Sequence, residues 1–167
     1  MGVAMIVSLT YRSEMTAIQT IEGTPPPSPE DRTITHNALN RTLRLGGSST
    51  PKIDLIAVFR VTLVNGEAVI GLTNINTPTG IIDATGRKLR AFKFRCPATN
   101  TGGAVTVEAG ASNGYDMLGG SWSIPVPIDG EVMMYLKDTA PAVASGAKTL
   151  DLTGTGTDSL DVSFIFG

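Results

Sequence analysis

RKLRAFKFRCPATNTGGAVTVEAGASNGYDMLGGSWSIPVPIDGEVMMYL, Arg87–Leu136, is the stretch on which the fold class turns. Within Arg90–Cys96, Phe92, Phe94 and Cys96 share one parity while Lys93 and Arg95 share the other. Successive side chains of a strand point to opposite faces, so this alternation predicts one buried and one wet face. Val105, Val107 and Ala109 repeat it against Thr106 and Glu108, and Ile124, Val126 and Ile128 against Pro125 and Pro127. Asp129-Gly130 is a turn signal leading into Glu131–Leu136. Nothing in the stretch is a catalytic constellation.

Downstream, Lys137–Lys148 reads as a loop rich in Ala, Pro and Gly, and Thr149–Thr153 and Ser159–Phe166 read as strands around Gly154-Thr155-Gly156. The last strand is predicted to turn Leu160, Val162, Phe164 and Phe166 inward and Ser159, Asp161 and Ser163 outward. Upstream, Ile53–Leu63 is apolar on both parities at first, which predicts a central strand or one covered on both faces. Asn65-Gly66 is a strong hairpin signal, with Glu67–Leu72 returning antiparallel and Asn74–Thr85 as a loop. Val3–Leu9 alternates like a first strand, Met15–Ile21 suits a strand or a short helix, and Thr33–Leu45 is strand-like. Between them Gly23–Pro29 carries four prolines, which donate no ladder hydrogen bonds. The expectation is one all-β domain over 1–167, an antiparallel β-sandwich of jelly-roll type. Residues 10–52 form an N-terminal elaboration or arm, with a Pro-rich connector at 23–31.

At 167 residues, 41% hydrophobic and 17% charged, the chain has material for a core and excludes wholesale disorder. A formal net charge of -2 gives no electrostatic footprint for nucleic acid. Cys96 is the single cysteine, which excludes an internal disulfide and argues against a disulfide-stapled secreted domain. Met1–Leu9 lacks the basic start and cleavage site of a signal peptide, Ile6 stands where myristoylation needs Ser or Thr, and no apolar run is long enough for a helical membrane span.

Each candidate site has a structural counterpart. His36 and Cys96 supply a base and a thiol, but Cys96 shares the Phe92/Phe94 parity, where a buried thiol acts as a small hydrophobe. Asp129, Asp138, Asp151, Asp158 and Asp161 could offer oxygen ligands to Ca²⁺, yet no D-x-D-x-D-G loop is present and Asp is a common turn residue. Gly154-Thr155-Gly156 lacks the lysine of a phosphate loop, and Asn40-Arg41-Thr42 is a glycosylation sequon relevant only in a secretory pathway. Trp122 and Tyr115, near Gly119-Gly120, could stack on a sugar, or cover a sandwich edge or a subunit contact. Met133 and Tyr135 lie on the parity opposite Val132, Met134 and Leu136, which marks a strand that is covered or at an interface. The expectation is therefore no enzyme, no cofactor and no metal.

Residues 86–167 resemble small structural proteins of tailed-phage and prophage virions. The resemblance rests on Leu89–Cys96 running into Pro97-Ala98-Thr99-Asn100, and on Val105-Thr106-Val107 followed by Gly110-Ala111-Ser112-Asn113. It continues in Trp122–Pro127 with Asp129-Gly130, in Lys148–Gly154 and in Ser159–Val162. It implies a virion component made in the host bacterial cytoplasm, a head decoration or cement protein, with a tail or connector component as the neighbouring possibility. The implied partners are the major capsid protein or further copies of this chain, with homo-oligomerisation, and neither nucleic acid nor membrane. A carbohydrate-binding or host-attachment module built on Trp122 and Tyr115 is the alternative of a different class. In the virion reading, the arm at 10–52 lies against a neighbouring subunit, anchored by Ile18, Ile21, Ile34, Leu39, Leu43 and Leu45.

Overall fold

The computed structural model describes residues 8–14, 17–21, 32–36 and 40–167, with backbone alone for 17–21 and 32–36. The described residues begin with four short strands: β1 (Ser8–Ser13), β2 (Ala17–Ile21), β3 (Arg32–His36) and β4 (Arg41–Gly46). β1 pairs antiparallel with β4 from Ser8↔Gly46 to Ser13↔Arg41, and β2 pairs with β3 from Ala17↔His36 to Ile21↔Arg32. The β1–β4 ladder, called the ribbon below, and the β2–β3 ladder are separate two-stranded sheets. Of the two readings for Met15–Ile21, the strand holds for Ala17–Ile21. The proline connector at 23–31 lies outside the described residues, and of the expected strand at Val3–Leu9 only Ser8 and Leu9 are described, within β1.

The sandwich follows: β5 (Leu55–Thr62), β6 (Glu67–Gly71), β7 (Ile75–Thr77), β8 (Gly80–Ile82), β9 (Leu89–Arg95) and β10 (Val105–Ala109). It is completed by β11 (Ser123–Val126), β12 (Glu131–Tyr135), β13 (Thr149–Thr153) and β14 (Ser159–Phe166). Two four-stranded antiparallel sheets form, a back sheet ordered β11-β10-β13-β6 and a front sheet ordered β12-β9-β14-β5. The connectivity is jelly-roll-like, since of the eight strands only β10 and β11 are successive within one sheet. No helix occurs among the described residues.

The predicted alternation is realised. Val105, Val107, Val126, Leu150 and Leu152 of the back sheet face Phe92, Phe94, Leu160, Val162, Phe164 and Phe166 of the front sheet, all buried in one core. Phe164 lies at its centre, with the rings of Phe59, Phe94 and Phe166 at 5.8, 5.9 and 5.8 Å in edge-on geometry. Such arrangements add to area burial because the positive edge of one ring meets the negative face of another. Ile128 departs from its expected parity: it lies beyond the end of β11 and is exposed.

The turns behave differently from a simple hairpin reading. Asn65 and Gly66 both have positive φ, 55° and 87°, and Val64 and Glu67 exchange backbone hydrogen bonds around them, as in a two-residue hairpin. Yet β5 goes to the front sheet and β6 to the back sheet, so the turn is a corner between layers. Gly66 is required there twice over, since an added Cβ would stand 2.8 Å from the Gly154 carbonyl oxygen. Asp129-Gly130 likewise carries the chain from β11 to the other sheet. Asn74–Thr85, expected as a loop, contains the small β7–β8 hairpin. β5 is an edge strand; of its second apolar parity, Ile56 lies under the ribbon while Val58 is exposed.

Candidate functional site

The surface with most chemistry is the outer face of the front sheet, where register arranges three rows across the strands. The first is Ile56–Ile165–Ala91–Tyr135, from β5 through β14 and β9 to β12. The second is Val58–Ser163–Lys93–Met133, and the third is Arg60–Asp161–Arg95–Glu131. The third row alternates in charge sign strand by strand, which favours each cross-strand neighbour.

The apolar row is covered by the chain's own ribbon. Leu9 and Leu45, paired across β1 and β4, pack with Ile53, Ala91 and Ile165. Tyr11, paired with Leu43, places its ring 5.8 Å from that of Tyr135, and the Arg41 guanidinium lies 5.8 Å above the same ring. The ribbon is amphipathic: Leu9, Tyr11, Leu43 and Leu45 are half-buried, while Ser8, Thr10, Arg12, Thr42 and Arg44 are exposed. A cleft of ≈ 140 Å³ remains between ribbon and sheet, lined by Leu9, Tyr11, Met133, Ser163 and Ile165 among others.

The other two rows are open. Val58 is 58% and Met133 38% exposed. A groove of ≈ 500 Å³ runs over Val58, Arg60, Lys93, Arg95 and Asp161, bounded by Pro78 of the β7–β8 turn. Arg60 donates from Nε and Nη2 to both carboxylate oxygens of Asp161, at 2.6 and 2.9 Å. Lys93 pairs with Glu131 at 2.6 Å. The hydrogen bonds from Arg60 hold the Asp161 carboxyl below the ordinary range, against a smaller opposing effect of burial and with help from the charges of Arg60 and Arg95. A depressed folded value means that this stabilisation is complete above the unfolded pKa, about 4, and is lost as pH falls through the folded one. Urea denaturation at pH 7 and pH 3 should therefore show a smaller acid-induced loss for Arg60→Gln than for the wild-type chain.

The sequence candidates distribute as follows. Tyr115 is fully buried; its hydroxyl donates to the Pro141 carbonyl at 2.7 Å and accepts from the Leu89 N–H at 3.0 Å. Burial pushes its pKa up, against the opposing Leu89 hydrogen bond and Arg90 charge. It is thus neither a sugar platform nor an interface residue. Tyr115→Phe leaves two groups without a partner, and a loss of about 1–3 kcal/mol in urea denaturation is expected. Trp122 is half-buried against the core, so the Tyr115–Trp122 pair does not form an exposed shelf. Cys96 is buried and free, with Asn100 Nδ2 at 3.1 Å from its Sγ, and the side chain of His36 lies outside the described residues.

Of the proposed arm anchors, Leu45 is corrected by the structure: it packs on the chain's own sheet, where Ile53, Ala91 and Ile165 offer an apolar row. Leu43 is half-buried on the same ribbon face. Ile18, Ile21 and Ile34 lie on β2 and β3 with side chains outside the described residues, as is Leu39 altogether. Met133 and Tyr135 do share the outer face, Met133 open and Tyr135 beneath Tyr11 and Arg41.

Four of the five aspartates have structural partners. Asp158, buried, accepts from the N–H of Thr101 and Gly102; Asp151 accepts from that of Ala111; Asp138 pairs with Arg90 and Lys88; Asp161 pairs with Arg60. Asp129 occupies a positive-φ turn position. No cluster suited to a metal occurs among the described residues. The charge row escaped sequence reading because only strand order and register bring Arg60, Asp161, Arg95 and Glu131 together. The chain matches no protein-family model, no curated protein and no solved structure at a significant level.

Proposed function

We propose that this protein is a non-enzymatic structural component of a tailed-phage or prophage virion, a head decoration or cement protein that binds an assembled lattice and stabilises it. The observation that carries the reading is the N-terminal ribbon. It is seated on the front sheet by one apolar face, and β2 and β3 form a strand pair of their own. A two-stranded extension beside an open, partly apolar sheet face suits binding across subunit joints. Jelly-roll sandwiches recur in viral capsid proteins and also in lectins, so the fold supports the reading by analogy alone. The resemblance over residues 86–167 points the same way.

The mechanism is linkage: a component that binds only the assembled shell raises its stability by RT ln(1 + [L]/Kd). Co-sedimentation with capsids lacking the protein tests it, together with calorimetry of those capsids. Pelleting with the capsids and an upward shift of their melting temperature are expected, both lost when residues 14–40 are replaced by a short turn. Glycan-array binding abolished in Trp122→Ala, without capsid binding, would overturn the proposal. Binding to tails and not heads would move the protein to the tail.

A further inference from the structure

We infer that copies of this chain join head to tail by strand addition, β5 of one copy pairing antiparallel with β12 of the next, so that the front sheet continues through the contact. These strands are the two edges of that sheet. Every neighbouring pair in it is antiparallel, so across its four strands β12 and β5 run in opposite directions. A second copy that prolongs the sheet therefore presents β12 antiparallel to β5, the pairing that short contacts without crossovers can make.

The hydrogen-bonding phase of both edges agrees with one register. The Leu63 N–H donates to the Asp158 carbonyl at 2.8 Å, which places the odd-numbered residues of β5 toward β14. The backbone groups of Ile56, Val58 and Arg60 are then directed to the open edge. On the other side the Cys96 N–H donates to the Gly130 carbonyl at 3.0 Å and the Leu136 N–H to the Arg90 carbonyl at 2.7 Å. Even-numbered residues thus face β9, and Glu131, Met133 and Tyr135 point their backbone groups outward. Setting Arg60 opposite the partner's Glu131 brings Val58 opposite the partner's Met133 and Ile56 opposite the partner's Tyr135. All six residues are in the outward phase.

Side-chain chemistry fits this same register. The charge row of one copy ends in the cation Arg60 at β5, and that of the next begins with the anion Glu131 at β12, so the alternation runs on without a break. Val58 and Met133, both exposed in the single chain, cover one another. The back sheet differs at one of its two edges: β11 carries Pro125, which cannot donate to a ladder, whereas its other edge β6, like β5 and β12, contains no proline. The β7–β8 hairpin flanks β5 without a backbone hydrogen bond to it among the described residues. A groove of ≈ 300 Å³ beside β5, lined by Phe59–Thr62 and bordered by Asn74–Asn76, marks the space that the incoming strand enters. A contact between two different surfaces propagates into a closed ring or an open filament.

The inference rests on the assembly part of the reading above and not on the identity of the particle. Its test is disulfide trapping with Val58→Cys and Met133→Cys, in a chain whose native Cys96 is buried. Facing Cα atoms in such a pair lie about 5.5 Å apart, within disulfide reach. The oxidised double variant should give a ladder of covalent multimers that reductant removes. Each single variant alone should stay monomeric on the gel, and a mixture of the two singles should stop at a dimer. Cross-linking by Val58→Cys alone would mean that β5 pairs with β5 and would overturn the inference, as would a double variant without multimers. Sedimentation velocity gives a second arm: Val58→Lys should abolish self-association with unchanged thermal unfolding, and association equal to wild type would overturn the inference. A ladder without capsid binding would remove the decoration reading alone, and capsid binding without a ladder would remove this one alone.

Discussion

Phe164→Ala is expected to lower the unfolding free energy by about 3–5 kcal/mol, the range for deleting a buried aromatic ring. Phe164 has no exposed surface and touches three other phenylalanine rings, so its removal leaves a cavity that rigid neighbours fill poorly. Because whole-domain stabilities are about 5–15 kcal/mol, this one substitution approaches the threshold of folding. Ser163→Ala is the matched control: it points to the opposite face, half-exposed, and a change within about 0.5 kcal/mol is expected. Chemical denaturation of both variants decides the matter. A large loss for Ser163→Ala with none for Phe164→Ala would mean that β14 is registered one residue away, since a single-residue slip exchanges the two faces.

Asn100→Ala is expected to cost about 1–3 kcal/mol, because it strands the N–H and the carbonyl of half-buried Ser159 on another strand. Asn100 is only 7% exposed; its Nδ2 donates to the Ser159 carbonyl at 2.7 Å and its Oδ1 accepts from the Ser159 N–H at 3.0 Å. The side-chain amide thus copies a strand's pair of backbone bonds at the start of β14, just beyond the end of β9. Asp158 secures the following turn through the N–H groups of Thr101 and Gly102. Thr99→Ala, exposed in the same loop, should change stability by less than about 0.5 kcal/mol. Equal denaturation midpoints for Asn100→Ala and wild type would show that solvent replaces the amide there.

Both expectations show how differently features of this chain could be read. The inward parity of Leu160, Val162, Phe164 and Phe166 was legible because it depends on the strand's own period of two. Asn100 gave no such signal: Pro97-Ala98-Thr99-Asn100 is an ordinary turn sequence, and its partner is 59 residues away. Tyr115 was misread for a related reason. It lies among Gly, Ser and Asn, which mark a loop, yet Leu89 and Pro141 from distant segments close over its hydroxyl.

What the sequence by itself determined is the class and most of its strands. Alternation placed β9, β10, β11, β13 and β14, and Asn65-Gly66 and Asp129-Gly130 marked real reversals of the chain. Local chemistry suffices for these, since side-chain period and allowed φ values act within a few residues. The tertiary structure alone decided which sheet each strand joins. It turned two apparent hairpins into corners, placed β5 at an edge, and laid the ribbon over Ile56, Ala91, Ile165 and Tyr135. It also assembled the row Arg60–Asp161–Arg95–Glu131 from four separate strands. Strand partnership is settled by the burial of both sheets' apolar faces at once, a long-range free energy that no window of sequence contains.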